Sequence, residues 1–227
     1  MGQTVAILQA VLNNFDTPVD PVVQDGIKDT EVVFHRFTDE NFPPITGLTP
    51  RFQYRIPKLF GWQMYPDADV YIWLDGTASF KRRDCVQWYL DQLGDNDMAF
   101  FAHPNRSTIK EEVDHIETYM TKEAGTKRGQ NYLIDRYKNG LHKEQYEDIL
   151  LDEDFVDNKL YASTVFVYRD SEQVRDAMRL WWLHQSRYYT CDQVVLPYVL
   201  WKSGLRVKTF DEPIWKTGYM SRVSHHG

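Results

Sequence analysis

Val70-Tyr71-Ile72-Trp73-Leu74 is a run of five bulky residues that stops at Asp75-Gly76-Thr77. An apolar run this short, rich in aromatic and β-branched residues, fits a buried strand. The strand delivers a lone carboxylate, a glycine and a hydroxyl to its carboxyl end. In an open α/β sheet that is where ligands collect. A carboxylate there can hold a divalent cation, and the cation can hold a phosphate. The glycine lets a ligand approach the backbone closely. The local alternative is a turn, for which Asp-Gly is well suited.

The flanking sequence supplies the rest of such a sheet. Residues 4–12 (TVAILQAVL) and 31–37 (EVVFHRF) read as two earlier strands, followed by Asn13-Asn14-Phe15-Asp16 and by Thr38-Asp39. Thr49-Pro50 marks a helix start, and the helical stretch 51–64 carries Arg55 and Lys58, with Pro57 splitting or kinking it. Strand, helix and strand in this order predict a right-handed parallel crossover. The spacing then predicts a helix over 79–93 with Lys81-Arg82-Arg83 in its first turn, and a strand over 98–102. Thr108 and Glu111 form a capping box that opens a further helix, with Ile109, Val113, Ile116 and Met120 on one side. Residues 121–160 are polar and irregular and are expected to be an acceptor-side insertion or lid. A strand over 160–168, a helix over 171–188, a helix over 191–203 containing Pro197, and a strand over 205–210 complete the pattern. The expected fold is a single α/β domain over 1–227, its central sheet mostly parallel and flanked by helices.

The net charge of −7, from 26 Lys and Arg against 33 Asp and Glu, argues against broad binding to nucleic acid or anionic membrane. It leaves room for a local basic groove. Cys85 and Cys191 have no CxxC spacing and read as reduced thiols. Residues 4–12 are too short for a secretory leader and have no cationic stretch before them. No run reaches transmembrane length. The expected location is the cytoplasm, with no membrane partner.

Three segments in order carry a family likeness: FTD at 37–39, RIPKLFGWQMYPDADVYIWLDGT at 55–77 and CDQVVLPYVLWKSG at 191–204. Together they resemble the GT-A (Rossmann-like) glycosyltransferases. The likeness is to a small branch long catalogued as a domain of unknown function and tied to plant cell-wall and mucilage polysaccharides. That branch has Arg-x-x-Lys (here Arg55 and Lys58) before a Trp-Ile-Asp-Gly strand end. It also has His-x-x-Arg followed by Glu (here His103, Arg106, and Glu111 or Glu112) and an Asp-Gln pair (here Asp192 and Gln193). Two departures stand out. Thr77 replaces the second carboxylate of the usual Asp-x-Asp, and Cys191 stands where the branch tends to have Arg.

The resemblance implies transfer of a sugar from a nucleotide-sugar donor, expected to be a UDP-sugar, to the hydroxyl of a saccharide. Mn²⁺ or Mg²⁺ would act as Lewis acid on the departing diphosphate, held by Asp75, by Thr77 and by His225 or His226 near the C-terminus. The local alternative for these two histidines is an unstructured tail. Arg55 and Lys58, three apart and so on one helical face, would offset phosphate charge. Asn14 and Asp39 are candidates for the base, Gly76 for the backbone approach, His103 and Arg106 for the acceptor or the donor sugar, and Lys216 for a further donor contact. Asp192, with Gln193, would deprotonate the acceptor in an inverting reaction or orient the donor sugar in a retaining one. Asp192 would equally serve as a helix N-cap. Two other readings stay open: a transferase acting on a hydroxymethylated DNA base, and a catalytically silent donor-binding domain. A two-metal phosphohydrolase would need clustered Asp and His ligands, which the sequence does not offer.

Overall fold

The structure, a computed structural model, describes residues 2–13, 17–25, 27–122 and 137–222, the side chains of 120–122 apart. Its core is a six-stranded sheet in the order β2-β1-β3-β6-β5-β7. The strands are β1 (Gln3–Ala10), β2 (Thr30–Phe37), β3 (Val70–Asp75), β5 (Met98–Ala102), β6 (Tyr161–Arg169) and β7 (Val207–Thr209). β1 is parallel to both β2 and β3, and β5 is parallel to β7. β6 is antiparallel to β3 and to β5, so it alone runs against the other five strands. The chain class is therefore α/β with a mostly parallel sheet.

Side-chain alternation divides the core between the two faces. Val70, Ile72 and Leu74 of β3 join Val5, Ile7, Val165 and Val167 on one face, covered by α3 (Cys85–Leu93) through Val86, Tyr89 and Leu93. Tyr71 and Trp73 point the other way, with Leu8, Phe100 and Phe166. That face is covered by α2 (Arg55–Met64) and by α6 (Glu172–Tyr188), whose Val174, Ala177, Met178 and Trp181 are buried. Asp75 shares the parity of Tyr71 and Trp73, so the carboxylate emerges on the α2 side. Helix α2 lies close on β1: a Cβ added to Gly61 would come 2.3 Å from Leu8 Cδ1.

Thr49 caps α1 (Pro50–Gln53), its hydroxyl accepting the Phe52 N–H, with Pro50 at the first helical position. The helix is interrupted at Tyr54 and resumes as α2, where Pro57 sits in the opening turns and the non-helical kink falls at Phe60. Ser171 caps α6 through the Val174 N–H. Thr108 accepts the Glu111 N–H at the head of α4 (Ile109–Lys122), where Asp157 also accepts the Ile109 and Lys110 N–H groups.

Two expectations are corrected. Residues 79–84 are not helical: Ala78–Phe80 form a short strand, β4, paired antiparallel with β8 (Met220–Arg222). That pairing is long-range and invisible to local periodicity. Arg82 and Arg83 consequently lie before α3, not in its first turn, and pair with Asp84 and Asp25. The second correction concerns 191–203, which is not one kinked helix. Asp192–Val194 form a 3₁₀ turn, and α7 (Leu196–Lys202) starts afresh with Pro197 in its first turn, where a missing N–H costs nothing. Residues 123–136, part of the expected lid, lie outside the described residues. Within 137–160, α5 (Leu141–Ile149) packs on the body, with His142, Gln145 and Ile149 buried. Among the described residues no helix is long and apolar enough to cross a membrane.

Candidate active site

β1 pairs with β2 on one side and with β3 on the other, so the chain reverses its direction of travel across the sheet at β1. Such a switch point leaves a crevice at the carboxyl ends of the strands. A cavity of about 240 Å³ occupies that crevice, and both helices of the 50–64 segment wall it. Ala10 and Leu12 reach it from the end of β1, Asp75, Gly76 and Thr77 from β3, Ser163 and Thr164 from the start of β6, and Cys191, Asp192 and Gln193 from the 3₁₀ turn. The helical wall contributes Pro50, Arg51, Tyr54, Arg55 and Lys58.

Lys58 is at the centre. Its Nζ lies 3.3 Å from Asp75 Oδ1, 2.9 Å from Asp192 Oδ2 and 3.2 Å from Ser163 Oγ. Its side chain is only 1% exposed. Burial works against the ammonium, but Asp192 and Asp75 outweigh burial and raise its pKa. Ser163 also donates to Asp192 Oδ2 at 2.9 Å. Asp192 is therefore bound by side chains across the cavity. It is the first residue of the 3₁₀ turn, whose N-cap position is Cys191, so Asp192 is not the cap of that turn.

Asp75 Oδ1 accepts three donors: the Tyr54 hydroxyl, Trp73 Nε1 at 2.7 Å, and Lys58. Trp73 reaches it because residues two apart on a strand share a face. Burial first, and then the Asp75 charge, hold the Tyr54 phenol well above its ordinary pKa, so it remains a donor. The turn after β3 is fixed from below by Gln9, fully buried in β1, whose Nε2 donates to Ala78 O at 3.0 Å and Asp75 O at 3.4 Å. Gln9 Oε1 in turn accepts from Arg36 at 2.8 Å.

Arg55 is 5% exposed, and its Nη2 donates to the Thr190 carbonyl. Its Nη1 is buried and has no partner among the described residues. A buried N–H without an acceptor is costly, and a cavity-lining guanidinium in that condition suits an anionic ligand.

Of the residues proposed from sequence, Arg55, Lys58, Asp75, Gly76, Thr77, Asp192 and Gln193 line this one cavity. Asp39 does not. Both its oxygens accept the Asn13 N–H at 2.9 Å, so it shapes the loop after β1, with Asn13 held at φ 57°. His103 and Arg106 stand outside the lining as well. Arg106 pairs with Glu112, and Glu112 accepts from Cys191 Sγ at 3.7 Å, so this group abuts the back of the Asp192 turn. Burial and the Arg106 charge lower the His103 pKa. Lys216 is exposed and away from the lining. Asn14, His225 and His226 lie outside the described residues.

Sequence reasoning missed Arg51, Tyr54, Ser163, Thr164 and Gln9. A signal for each was present: Arg51, Tyr54, Arg55 and Lys58 follow helical spacing, and Ser163-Thr164 and Gln9 are polar residues inside apolar strands.

A divalent cation shared by the two carboxylates does not fit this donor set. Lys58 fills the space between Asp75 and Asp192, and Asp75 Oδ1 already accepts from three donors. Among the described residues no three His, Cys, Asp or Glu side chains come together.

No protein-family model matches the chain, and no curated protein does. Among solved structures it is similar to mouse xyloside xylosyltransferase 1 in its apo form: TM-score 0.41, 10% identity, 80% of this chain covered. The chain spans 63% of that protein. It is also similar to the galactosyltransferase LgtC in complex with donor and acceptor sugar analogs: TM-score 0.39, 13% identity, 86% of this chain and 70% of that one covered. An active-site mutant of LgtC gives a TM-score of 0.37 at 14% identity, over 90% of this chain and 72% of that one.

Proposed function

We propose that this chain is a glycosyltransferase that takes a sugar from a nucleotide-sugar donor, a UDP-sugar in the first instance, to a hydroxyl of a saccharide acceptor. The observation that carries this reading is that Arg51, Arg55 and Lys58 line a single cavity at the sheet's switch point together with Asp75 and Asp192. A diphosphate needs several fixed cations, and a sugar needs carboxylates and hydroxyls around its own hydroxyl groups. Both sets are present, and they meet at Lys58.

The diphosphate faces the Arg51 and Arg55 side of the cavity, with Gly76 allowing close approach at the end of β3. The sugar end faces Asp192, Gln193 and Ser163. In the transfer, the bond between the sugar's anomeric carbon and the phosphate oxygen breaks, and its electron pair stays on that oxygen. The acceptor oxygen bonds to the anomeric carbon and loses its proton. Asp192 takes that proton in an inverting reaction; in a retaining one it orients the donor sugar. Positioned proton transfer of this kind contributes about 10²–10⁴-fold.

The test is a donor screen by mass spectrometry on the purified chain, following release of free sugar. Release from one UDP-sugar, lost in Asp192→Asn, supports the reading. Binding of the donor with no release would leave a catalytically silent domain. Transfer of labelled sugar to hydroxymethylated DNA rather than to a saccharide would move the acceptor to nucleic acid, against the chain's acidic balance.

A further inference from the structure

Two carboxylates facing one cavity repel each other unless a cation stands between them. In the transferases this chain resembles, a divalent ion is expected to be the cation next to the strand-end carboxylate. Here a side chain holds the place. Lys58 Nζ contacts Asp75 Oδ1 and Asp192 Oδ2 at once. The Tyr54 hydroxyl and Trp73 Nε1 complete the shell of Asp75 Oδ1, and Ser163 completes that of the Lys58 ammonium. A dication bound by both carboxylates would have to expel a buried ammonium from three partners. A dication on Asp75 alone would sit beside that ammonium and repel it. The second carboxylate that would strengthen such a site is replaced by Thr77.

We propose that Lys58 is the resident cation of this cavity and that donor binding needs no divalent metal ion; the proposal rests on the donor-binding reading above. The arrangement lets one charge serve two stages. Before transfer, Lys58 neutralises Asp192 and Asp75. In an inverting reaction, as the acceptor's proton arrives on Asp192, that carboxylate becomes neutral and no longer holds the ammonium. The electron pair left on the phosphate oxygen is the new anion, and Lys58 turns from Asp192 to it. Charge moves from carboxylate to phosphate across one cation, and the count of charges in the cavity is unchanged. Arg55 supplies the second fixed cation on the phosphate side. Arg and Lys can replace a metal in this role because a diphosphate accepts charge-assisted hydrogen bonds as readily as metal coordination.

The test uses the full chain and UDP as probe. Calorimetric titration is run once in excess EDTA and once in Mn²⁺. The electron paramagnetic resonance signal of free Mn²⁺ is then compared for UDP alone and for UDP with the protein. The full chain includes His225 and His226. The expected result is a dissociation constant that agrees within about twofold between the two buffers, a difference below about 0.4 kcal/mol, with no loss of free Mn²⁺ signal beyond that caused by UDP. Binding that weakens tenfold or more in EDTA, or a protein-dependent loss of the Mn²⁺ signal, would overturn the proposal and leave the donor reading standing. Absence of UDP binding in both buffers would overturn both.

Discussion

Replacing Lys58 with Met removes the cation between Asp75 and Asp192 while keeping most of the side-chain volume. Lys58 is buried, whereas the Asp75 and Asp192 side chains are 25% and 12% exposed. Stripping one partner from a fully buried pair costs about 3–5 kcal/mol, and residual water contact of the carboxylates puts this site at the lower end, about 3 kcal/mol. For a chain of this length each kcal/mol moves Tm by about 2–4 °C, so the expected loss is roughly 6–12 °C. Urea denaturation of both proteins at pH 7 measures the gap between them. A gap below about 1 kcal/mol would refute the ion cluster.

Two further outcomes follow from packing and titration. Gly61→Ala places a methyl 2.3 Å from Leu8 Cδ1; overpacking of this kind costs about 1–3 kcal/mol, of which the better helix propensity of Ala offsets about 1 kcal/mol, and a raised urea midpoint would contradict the close α2–β1 contact. His142 is fully buried and pairs with Glu117 at 2.7 Å, yet burial outweighs that carboxylate and lowers its pKa. Its contribution to stability is thus complete above the unfolded value of about 6.5 and lost as pH falls below it toward the folded value. Tm should fall between pH 7.5 and 5.5 and fall less in His142→Gln; equal slopes in the two proteins would be the contrary result.

Much of this architecture was legible in the sequence because its strands are short apolar runs with polar ends and its helices carry caps. Val70–Leu74, residues 160–168, Thr49-Pro50 and Ser171 all act locally, and local chemistry decides them. What escaped was non-local. Ala78–Phe80 carry no strand signal of their own and become β4 only through β8, more than 130 residues later. The cavity was half legible: Arg55, Lys58, Asp75 and Asp192 stand out as charges near strand ends or on one helical face. Their mutual geometry was not readable. The expectation of a cation-binding carboxylate at Asp75 could not foresee Tyr54, Trp73 and Lys58 converging on one of its oxygens. Asp39 showed the same limit, since a carboxylate after a strand can face a ligand or fold back onto its own loop, as it does at Asn13.

The central claim is that the cavity beyond β1 and β3 holds the diphosphate of a nucleotide sugar, with Arg55 as a direct contact. Calorimetric titration of UDP into wild type and Arg55→Met tests it most directly. A hydrogen bond to a charged group contributes about 1.5–3 kcal/mol, so binding by wild type and a loss of roughly 10- to 150-fold in Arg55→Met is the predicted result. No binding of UDP by wild type, or equal binding by the two proteins, would contradict it.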